Sequence, residues 1–333
     1  SLIASDKLDT NNYFFFFKHL VYIFIGLLTL VFFSSLSEKN LFRFSIYLFF
    51  ITLFFLFLVP IFGTEVKGSK RWLNLFFLPQ FQPIELLKPF IIIFVATILC
   101  SEKNYNIYIK YLLTIISIIP TGLLLIMQPD IGQTLLVFLS WAILVFVSGI
   151  NLLFILLFIS LSIISLLYVV FFIPKFIYIK SRILSFFNPD GGTHNFQSDK
   201  AIEAISSGGF FGKGIGEGTL KTRVPEAHTD YIVSVISEEF GVIAIIFLLI
   251  LFLFFLYSVF KKIYLEKSEK IKLVLTGVIS LIIFQALIHL GVNIRLFPTT
   301  GMTLPFLSYG GSSILGVSIL SGIILNLTKR KIN

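Results

Sequence analysis

The chain is dominated by long apolar runs, and these constrain its fold more than any other feature. A helix needs about 18 or more apolar residues to cross the hydrocarbon core of a bilayer. Nine runs of about that length, each bounded by polar residues, Pro or Gly, lie at residues 18–36, 42–60, 84–100, 108–127, 131–149, 152–174, 232–257, 271–290 and 309–327. Backbone N–H and C=O groups find no water inside a bilayer, so each run is predicted to be a transmembrane helix.

Composition agrees with this interpretation. Of the 333 residues, 57% are hydrophobic and only 13% are charged. A soluble domain of this length could not bury so much apolar surface in one core. The sequence therefore predicts an all-α polytopic membrane protein, forming a single domain over residues 1–333, with one long polar loop at residues 175–230.

The basic residues of the short loops set the orientation. On one side of the membrane lie Lys39, Arg43, Lys103, Lys110, Lys261, Lys262, Lys267, Lys270, Lys272, Lys329, Arg330 and Lys331. The positive-inside rule makes this side cytoplasmic and the 175–230 loop extracytoplasmic. Nine spans would then start the chain outside, so we expect a tenth helix upstream that is missing from this sequence.

Further basic residues fall in the outer loops, where topology does not favour them. They are Lys67, Lys70, Arg71, Lys175, Lys180, Arg182, Lys200, Lys213, Lys221 and Arg223. An anionic ligand explains them, and so does ordinary solvation against lipid headgroups. The net charge of +9 is therefore not evidence for nucleic acid, and no such partner is expected.

Two outer loops carry candidate polar groups. Arg71 beside Trp72 could present a bidentate fork to a phosphate, or Trp72 could simply anchor the interface. In the second loop, Asp130 is suited to cap the helix that follows.

One helix start combines a cap with two charges. Gln82 precedes Pro83, which suits the first position of a helix. Glu85 and Lys88 are three residues apart and share a face at the outer end of that helix. Charges at a membrane boundary face a partner or a wet cavity, so they either pair with each other or bind a ligand.

The richest polar region precedes the 232–257 run. Residues 204–218 are dense in glycine, but a nucleotide-loop interpretation is weak because no βαβ unit surrounds them. Asp230, Ser234, Ser237 and Glu238 then form one polar stripe entering the membrane. Partial burial would make Asp230 a better general base, whereas a helix-capping role is the simpler alternative.

Gln285, His289 and Asn293 share another helical face, which interhelical hydrogen bonding would explain. With four His residues and one cysteine, Cys100, a zinc site is improbable and an internal disulfide is excluded.

Five ordered motifs carry a family resemblance. They are GSKRW with FQPIELLK, QPDIGQTLL, ISSGGFFGKGIGEG, PEAHTDY with SEEFG, and TLPFLSYGGSS. Over essentially the whole chain they resemble the SEDS family (shape, elongation, division and sporulation), the FtsW/RodA type of peptidoglycan glycosyltransferase. Ala227 and Thr303 are closer to the FtsW division branch, whereas Thr300 stands where that branch often has Lys. Lys200 stands where Gln is common, and Ser69 and Ile84 also depart from the pattern.

The resemblance implies a SEDS-type bundle of ten helices, of which about nine lie in this chain. It implies polymerisation of lipid II, with Asp230 of the HTD motif as the essential acid and general base. We interpret as substrate-binding the residues Arg71, Gln82, Glu85, Lys88, Lys213, Lys221, His228, Thr229, Glu238, Ser308, Tyr309 and Ser312. No protein metal ligand is assigned, and a divalent cation, Mg²⁺ or Mn²⁺, is left open as a cofactor.

The resemblance also implies a setting. The enzyme would lie in the cytoplasmic (inner) membrane, act on its extracytoplasmic face at the division septum, and work with a class B penicillin-binding transpeptidase of the FtsI type and other divisome membrane proteins. The alternatives are a lipid II flippase and a division-complex scaffold. The enzyme is favoured over the flippase because a flippase needs a polar path through the midplane, and only Gln285 and His289 lie deep.

Overall fold

The computed structural model describes residues 14–66, 69–74, 79–101, 106–187, 196–220 and 223–329. The chain forms two compact units. Unit 1 comprises residues within 1–20, 156–255 and 285–310, and unit 2 comprises residues within 21–155, 256–284 and 311–333.

The described residues are largely helical. The helices are α1 (Phe14–Ser35), α2 (Glu38–Phe62), α3 (Pro83–Leu99), α4 (Ile107–Met127), α5 (Ile131–Val147), α6 (Leu152–Phe172), α7 (Ile177–Phe187), α8 (Phe196–Gly208), α9 (Ile232–Leu265), α10 (Glu269–Asn293) and α11 (Gly311–Thr328). The strands β1 (Thr64–Val66) and β2 (Ser69–Trp72) form an antiparallel hairpin after α2.

The predicted fold class is confirmed. Each of the nine apolar runs is a helix in the described part of the chain, and seven of these helices are long and apolar enough to cross a membrane. The other two, α3 and α5, have 17 residues each. The protein is thus a multi-pass membrane protein.

Helix α3 lies at the centre of unit 2. Gln82 is its N-cap residue and Pro83 its first helical position, as the sequence predicted. The helix packs against α2, α4, α5 and α11. A Cβ atom at Gly316 of α11 would lie 2.5 Å from the carbonyl oxygen of Glu85, so glycine permits a close approach of the two backbones.

The 175–230 region contains more structure than the sequence suggested. A short 3₁₀ turn, Pro174–Phe176, leads into α7, and α8 follows within the same region. Helix α9 then begins at Ile232 and is interrupted at Gly241, whose φ of 75° and ψ of −177° are not helical. This interruption was not predicted, because the apolar run continues through it.

Candidate active site

The HTD motif, His228–Asp230, sits on a tight backbone turn immediately before α9. The carbonyl oxygen of Glu226 accepts hydrogen bonds from the backbone N–H groups of Thr229, Asp230 and Tyr231 at 3.1, 3.1 and 3.2 Å. The turn leaves Asp230 half-buried at the start of the helix, and Tyr231 is only 1% exposed. The carboxylate is thus partly desolvated, as its proposed role requires.

All three carbonyl groups of the HTD motif are held from outside the motif. The Tyr309 N–H donates to His228 O at 2.9 Å, and the Ser308 hydroxyl donates to Thr229 O at 2.7 Å. The side-chain amide of Asn293 donates to Asp230 O at 3.1 Å. These bonds fix the backbone that carries the acid.

The polar face of α10 binds the segment that follows it in the chain, which carries the donors Ser308 and Tyr309. Gln285 Nε2 donates to Thr303 O at 2.9 Å, and His289 Nδ1 donates to Met302 O at 2.7 Å. The shared face predicted for Gln285, His289 and Asn293 is confirmed. Their partners outside α10 include backbone groups of irregular segments and the Thr303 hydroxyl. Irregular backbone beside a transmembrane helix needs such donors because lipid offers none.

The glycine-rich segment docks against the break in α9. The N–H groups of Lys213 and Gly214 donate to the carbonyls of Glu238 and Glu239 at 2.9 and 3.0 Å. In return, the Val242 N–H on the other side of the break donates to Gly209 O at 3.0 Å. Backbone groups that the break frees from the helix are therefore bonded by the segment.

Glu238 secures the same segment with its side chain. It is fully buried, and its Oε1 accepts a hydrogen bond from the Leu220 N–H at 2.8 Å. Lys213 Nζ lies 3.4 Å from the same oxygen. Lys213 and Glu238, which were both predicted to bind substrate, are thus paired with each other in the structure.

A second group of predicted residues lies in unit 2, around α3. Lys88 Nζ is 2.9 Å from Glu85 Oε2, and Gln133 Nε2 donates to Glu85 Oε1 at 2.6 Å. Lys88 is 1% exposed and Glu85 3%. The mutual pairing that the sequence left open is therefore present. We call Arg71, Gln82, Glu85, Lys88, Asp130 and Gln133 the α3 polar cluster.

Asp130 joins the loops to this cluster. Its Oδ1 accepts from the Gln133 N–H at 3.4 Å, which is the helix cap predicted from the sequence. Its Oδ2 accepts from Gln82 Nε2 at 3.0 Å and lies 3.7 Å from Arg71 Nε. Arg71 also donates to Pro129 O at 2.5 Å. Burial raises the pKa of the Asp130 carboxyl, and the Arg71 charge opposes that rise.

Unit 2 also contains an apolar cavity of about 460 Å³. Its walls are mostly aromatic and aliphatic and include Phe33, Phe55, Phe90 and Leu315. Ser312, at the start of α11, is one of the few polar residues on its wall. This places Ser312 among apolar groups.

Two further predictions concern Lys221 and a metal ion. Lys221 lies outside the residues that the structure describes. Within the described ranges, no three His, Cys, Asp or Glu side chains come close enough to hold a metal ion.

Comparison with known proteins identifies the family of this chain. The sequence model of the cell cycle proteins FtsW, RodA and SpoVE matches residues 1–333. The chain belongs to the FtsW/RodA/SpoVE family.

Relatives of this family member include proteins named as probable peptidoglycan glycosyltransferases FtsW. The Caulobacter vibrioides protein is 33% identical over 303 residues, covering 90% of this chain and 75% of the relative. The protein from Buchnera aphidicola subsp. Schizaphis graminum is 35% identical over 346 residues, covering 98% of this chain and 93% of the relative.

Solved structures show the same fold. A chain from a peptidoglycan synthase complex, described as coordinating polymerisation and crosslinking, superimposes with a TM-score of 0.78 at 28% identity, covering 94% of this chain and 89% of that one. The rod shape determining protein RodA of Thermus thermophilus gives a TM-score of 0.67 at 29% identity, covering 94% and 86%. The FtsW/RodA/SpoVE helix bundle is thus shared across the chain.

Sequence reasoning missed several residues that surround the HTD motif of this family member. The ring of His19 in α1 stacks on Tyr309 with a centroid distance of 5.1 Å, and His228 contacts the same ring at 5.9 Å. Arg295 pairs with Asp199 at 2.6 Å. An ionisable side chain in or beside an apolar run was the available signal, and it was present for His19 and Arg295.

Proposed function

We propose that this chain is a peptidoglycan glycosyltransferase that polymerises lipid II into glycan strands during cell division. The observation that carries the proposal is Asp230, a half-buried carboxylate on a backbone whose three neighbouring carbonyls are held by Asn293, Ser308 and Tyr309. A general base must be positioned before its pKa matters. The names of the curated relatives give the reaction class.

In the proposed reaction Asp230 is the general base. The hydroxyl oxygen of an acceptor sugar attacks the anomeric carbon of a chain carried on undecaprenyl diphosphate, and the hydroxyl proton passes to the Asp230 carboxylate. The bond between that carbon and the diphosphate oxygen breaks, and the diphosphate leaves with the electron pair. Such a base contributes about 10²- to 10⁴-fold in rate.

The leaving diphosphate needs positive charge to stabilise it. Arg71, Lys88 and Lys213 were the sequence candidates, together with Lys221. In the structure Arg71 is bonded to Pro129 and Asp130, and Lys88 to Glu85. These contacts favour a positioning role for the α3 polar cluster, because displacing buried partners is costly.

The prenyl chain requires an apolar site. The cavity of unit 2, with its Phe-rich walls, has the size and the composition to hold part of such a chain. Ser312 at its wall would then lie beside the chain or its head group.

The loop charges and the similar proteins support a cellular location and a partner. The Lys and Arg residues of the short loops favour an extracytoplasmic position for the HTD motif. The FtsW names of the relatives support action at the division septum of the inner membrane. The similar solved chain comes from a complex that coordinates polymerisation with crosslinking, which supports a class B penicillin-binding transpeptidase of the FtsI type as partner. Gln285 and His289 are bonded to residues 302–303. They therefore do not supply the free polar path that a flippase needs.

The test is glycan polymerisation from labelled lipid II by the purified complex with its transpeptidase partner, with and without Mg²⁺ or Mn²⁺. Asp230→Asn should lower the rate by about 10²- to 10⁴-fold. Glu269→Gln, which alters a side chain 75% exposed, is the matched control and should keep the wild-type rate. Wild-type polymerisation by Asp230→Asn would exclude the general-base assignment.

A further inference from the structure

Three buried hydrogen-bond donors beside the HTD motif have no partner among the described residues. They are the Tyr231 hydroxyl, Nη2 of Arg295 and the Thr300 hydroxyl. Tyr231 is 1% exposed, so its hydroxyl is closed off from bulk solvent. Buried donors in native proteins are nearly always satisfied, so several lacking partners in one unit indicate a missing acceptor.

Backbone contacts bring these donors to one region of unit 1. Arg182 Nη1 donates to Thr299 O at 3.2 Å, which places a guanidinium beside Thr300. Asn293, two residues before Arg295, holds the carbonyl of Asp230, the residue before Tyr231. The residues that carry the donors therefore lie in the same part of unit 1 as Asp230, whose carboxylate acts electrostatically on Tyr231.

Arg295 occupies a position where its side chain is not required for backbone geometry. It follows the end of α10 with φ of 57°, a conformation typical of glycine. The Leu296 N–H donates to Gly291 O at 2.7 Å and the Arg295 N–H to Val292 O at 3.1 Å, the pattern of a Schellman motif. Glycine would form this motif without strain, so the arginine side chain is kept for another reason.

Part of that reason is the ion pair with Asp199 of α8, in which Arg295 Nη1 lies 2.6 Å from Asp199 Oδ1. The pair uses one edge of the guanidinium and leaves Nη2 buried without a partner. A tether alone would not bury an unsatisfied donor, because that burial costs free energy. An additional acceptor facing Nη2 accounts for both observations.

The chemistry of the donors indicates the acceptor. Two guanidinium groups, those of Arg182 and Arg295, lie in this region together with the carboxylates of Asp199 and Asp230. Burial first, and then the nearby Asp230 carboxylate, raise the pKa of the Tyr231 phenol, with Arg182 acting in the opposite direction. Tyr231 therefore remains a donor, and planar guanidinium groups suit phosphate oxygens.

We propose that Arg182, Arg295, Tyr231 and Thr300 form a diphosphate subsite that binds the leaving group next to Asp230. This proposal rests on the proposed function and deepens it, since it assigns the cations that stabilise the departing diphosphate. It replaces Arg71, Lys88 and Lys213 in that role. The shared chemistry is a diphosphate oxyanion, whether free or attached to a prenyl chain.

The experiment measures binding to the full chain in phosphatidylcholine nanodiscs by thermophoresis. Farnesyl diphosphate and inorganic pyrophosphate are the two probes, and discs containing phosphatidylglycerol form a third arm. Tyr231→Phe removes one hydroxyl, and Arg295→Gly removes the guanidinium at a position that glycine fits. Each should weaken binding of both diphosphates by about tenfold or more, because hydrogen bonds to charged groups are strong.

Matched controls separate binding from folding. Tyr264→Phe changes a tyrosine that is 88% exposed, and Arg43→Gln changes an exposed arginine of α2. Both should bind as the wild type does. Arg295→Gly should unfold at the wild-type temperature or above it. Should Tyr231→Phe unfold, Thr300→Ala and Arg295→Gly still report on the subsite.

Three results would overturn the proposal. The first is wild-type affinity for both diphosphates in folded Tyr231→Phe and Arg295→Gly. The second is recovery of binding by the charge swap Asp199→Arg with Arg295→Asp, since that would leave Arg295 only a tether. The third is a loss confined to phosphatidylglycerol, which would indicate an ordinary lipid headgroup site.

Asp230→Asn keeps the two proposals distinguishable. It should bind farnesyl diphosphate at least as tightly as the wild type, since it removes a nearby negative charge, while losing polymerisation. Retained polymerisation would reject the general base and leave the subsite standing. Retained binding in the subsite variants would reject the subsite and leave the base standing.

Discussion

The side-chain amide of Asn293, the last residue of α10, donates a hydrogen bond of 3.1 Å to the backbone carbonyl of Asp230. The same amide donates to His289 O at 2.9 Å within its own helix. One fully buried side chain thus links the end of a transmembrane helix to the proposed general base. It fixes the backbone and does not touch the carboxylate through these bonds.

Asn293→Ala should therefore impair catalysis more than substrate binding. Loss of the bond lets the Asp230 backbone shift, and small misplacements of a base are costly in rate. We expect kcat for lipid II polymerisation to fall by about tenfold, a barrier change of about 1.4 kcal/mol, with KM little changed. Asn40→Ala, at an exposed position of α2, is the control. Equal losses in both variants would contradict a specific role for Asn293.

Gly241→Ala should disrupt the docking of the glycine-rich segment. A Cβ atom there would lie 2.1 Å from the carbonyl oxygen of Phe210, and the φ of 75° adds strain. Gly216→Ala is a matched control, because its φ is 86° but no atom lies within 4 Å of the added Cβ. Both variants place a Cβ atom at a positive φ, but only Gly241→Ala adds the clash, and its ψ of −177° lies in a region that is essentially restricted to glycine. We expect Gly241→Ala to be the less stable by about 2 kcal/mol or more, as measured by thermal unfolding in detergent. Equal stability would show that Phe210 moves aside.

Replacing only one member of the Glu85–Lys88 pair should lower the stability of the protein more than replacing both. Lys88→Met leaves a buried carboxylate uncompensated and should destabilise the protein by about 3–5 kcal/mol. The double variant Glu85→Gln with Lys88→Met should recover much of that loss. The exposed Glu269–Lys272 pair, at 2.9 Å, is the reference, and Glu269→Gln should cost about 1 kcal/mol or less.

The same variants test what the cluster does. A folded double variant that polymerises lipid II would show that neither charge is needed for catalysis. A folded but inactive double variant would support the substrate-binding role predicted from the sequence. Additive losses in the two single variants would argue against a coupled pair.

Asp130 should give the protein a specific pH dependence. Burial raises the pKa of its carboxyl above the ordinary value of 3.8, so the folded state holds the proton more tightly than the unfolded state. The resulting stability is fully present below about pH 3.8 and is lost as the pH rises through the folded-state pKa. Asp130→Asn keeps the helix cap and removes this titration.

Relative to Asp130→Asn, the wild type should therefore lose stability as the pH rises above about 4. Arg71→Gln removes the charge that opposes the shift, so the loss should begin at the same pH but continue to a higher pH and become larger. Melting temperatures of the three proteins, measured across the acid range, test both expectations. Parallel curves for wild type and Asp130→Asn would show that Asp130 is not perturbed by burial.

The sequence by itself determined the helices. Apolar length against the thickness of a bilayer is a local property, so the nine runs predicted nine helices, including the Gln82 and Pro83 start of α3. Helical spacing is also local, which is why the shared face of Gln285, His289 and Asn293 and the Glu85–Lys88 pairing were predictable.

Only the tertiary structure decided the partners. Asp199 and Arg295 are 96 residues apart in the chain, and nothing in either neighbourhood specifies the other. The interruption at Gly241 was hidden because its freed backbone groups are satisfied by residues 209–214 and not by a local sequence signal. Hydropathy reports which segments avoid water, whereas the geometry of a site depends on which distant groups share the same buried space.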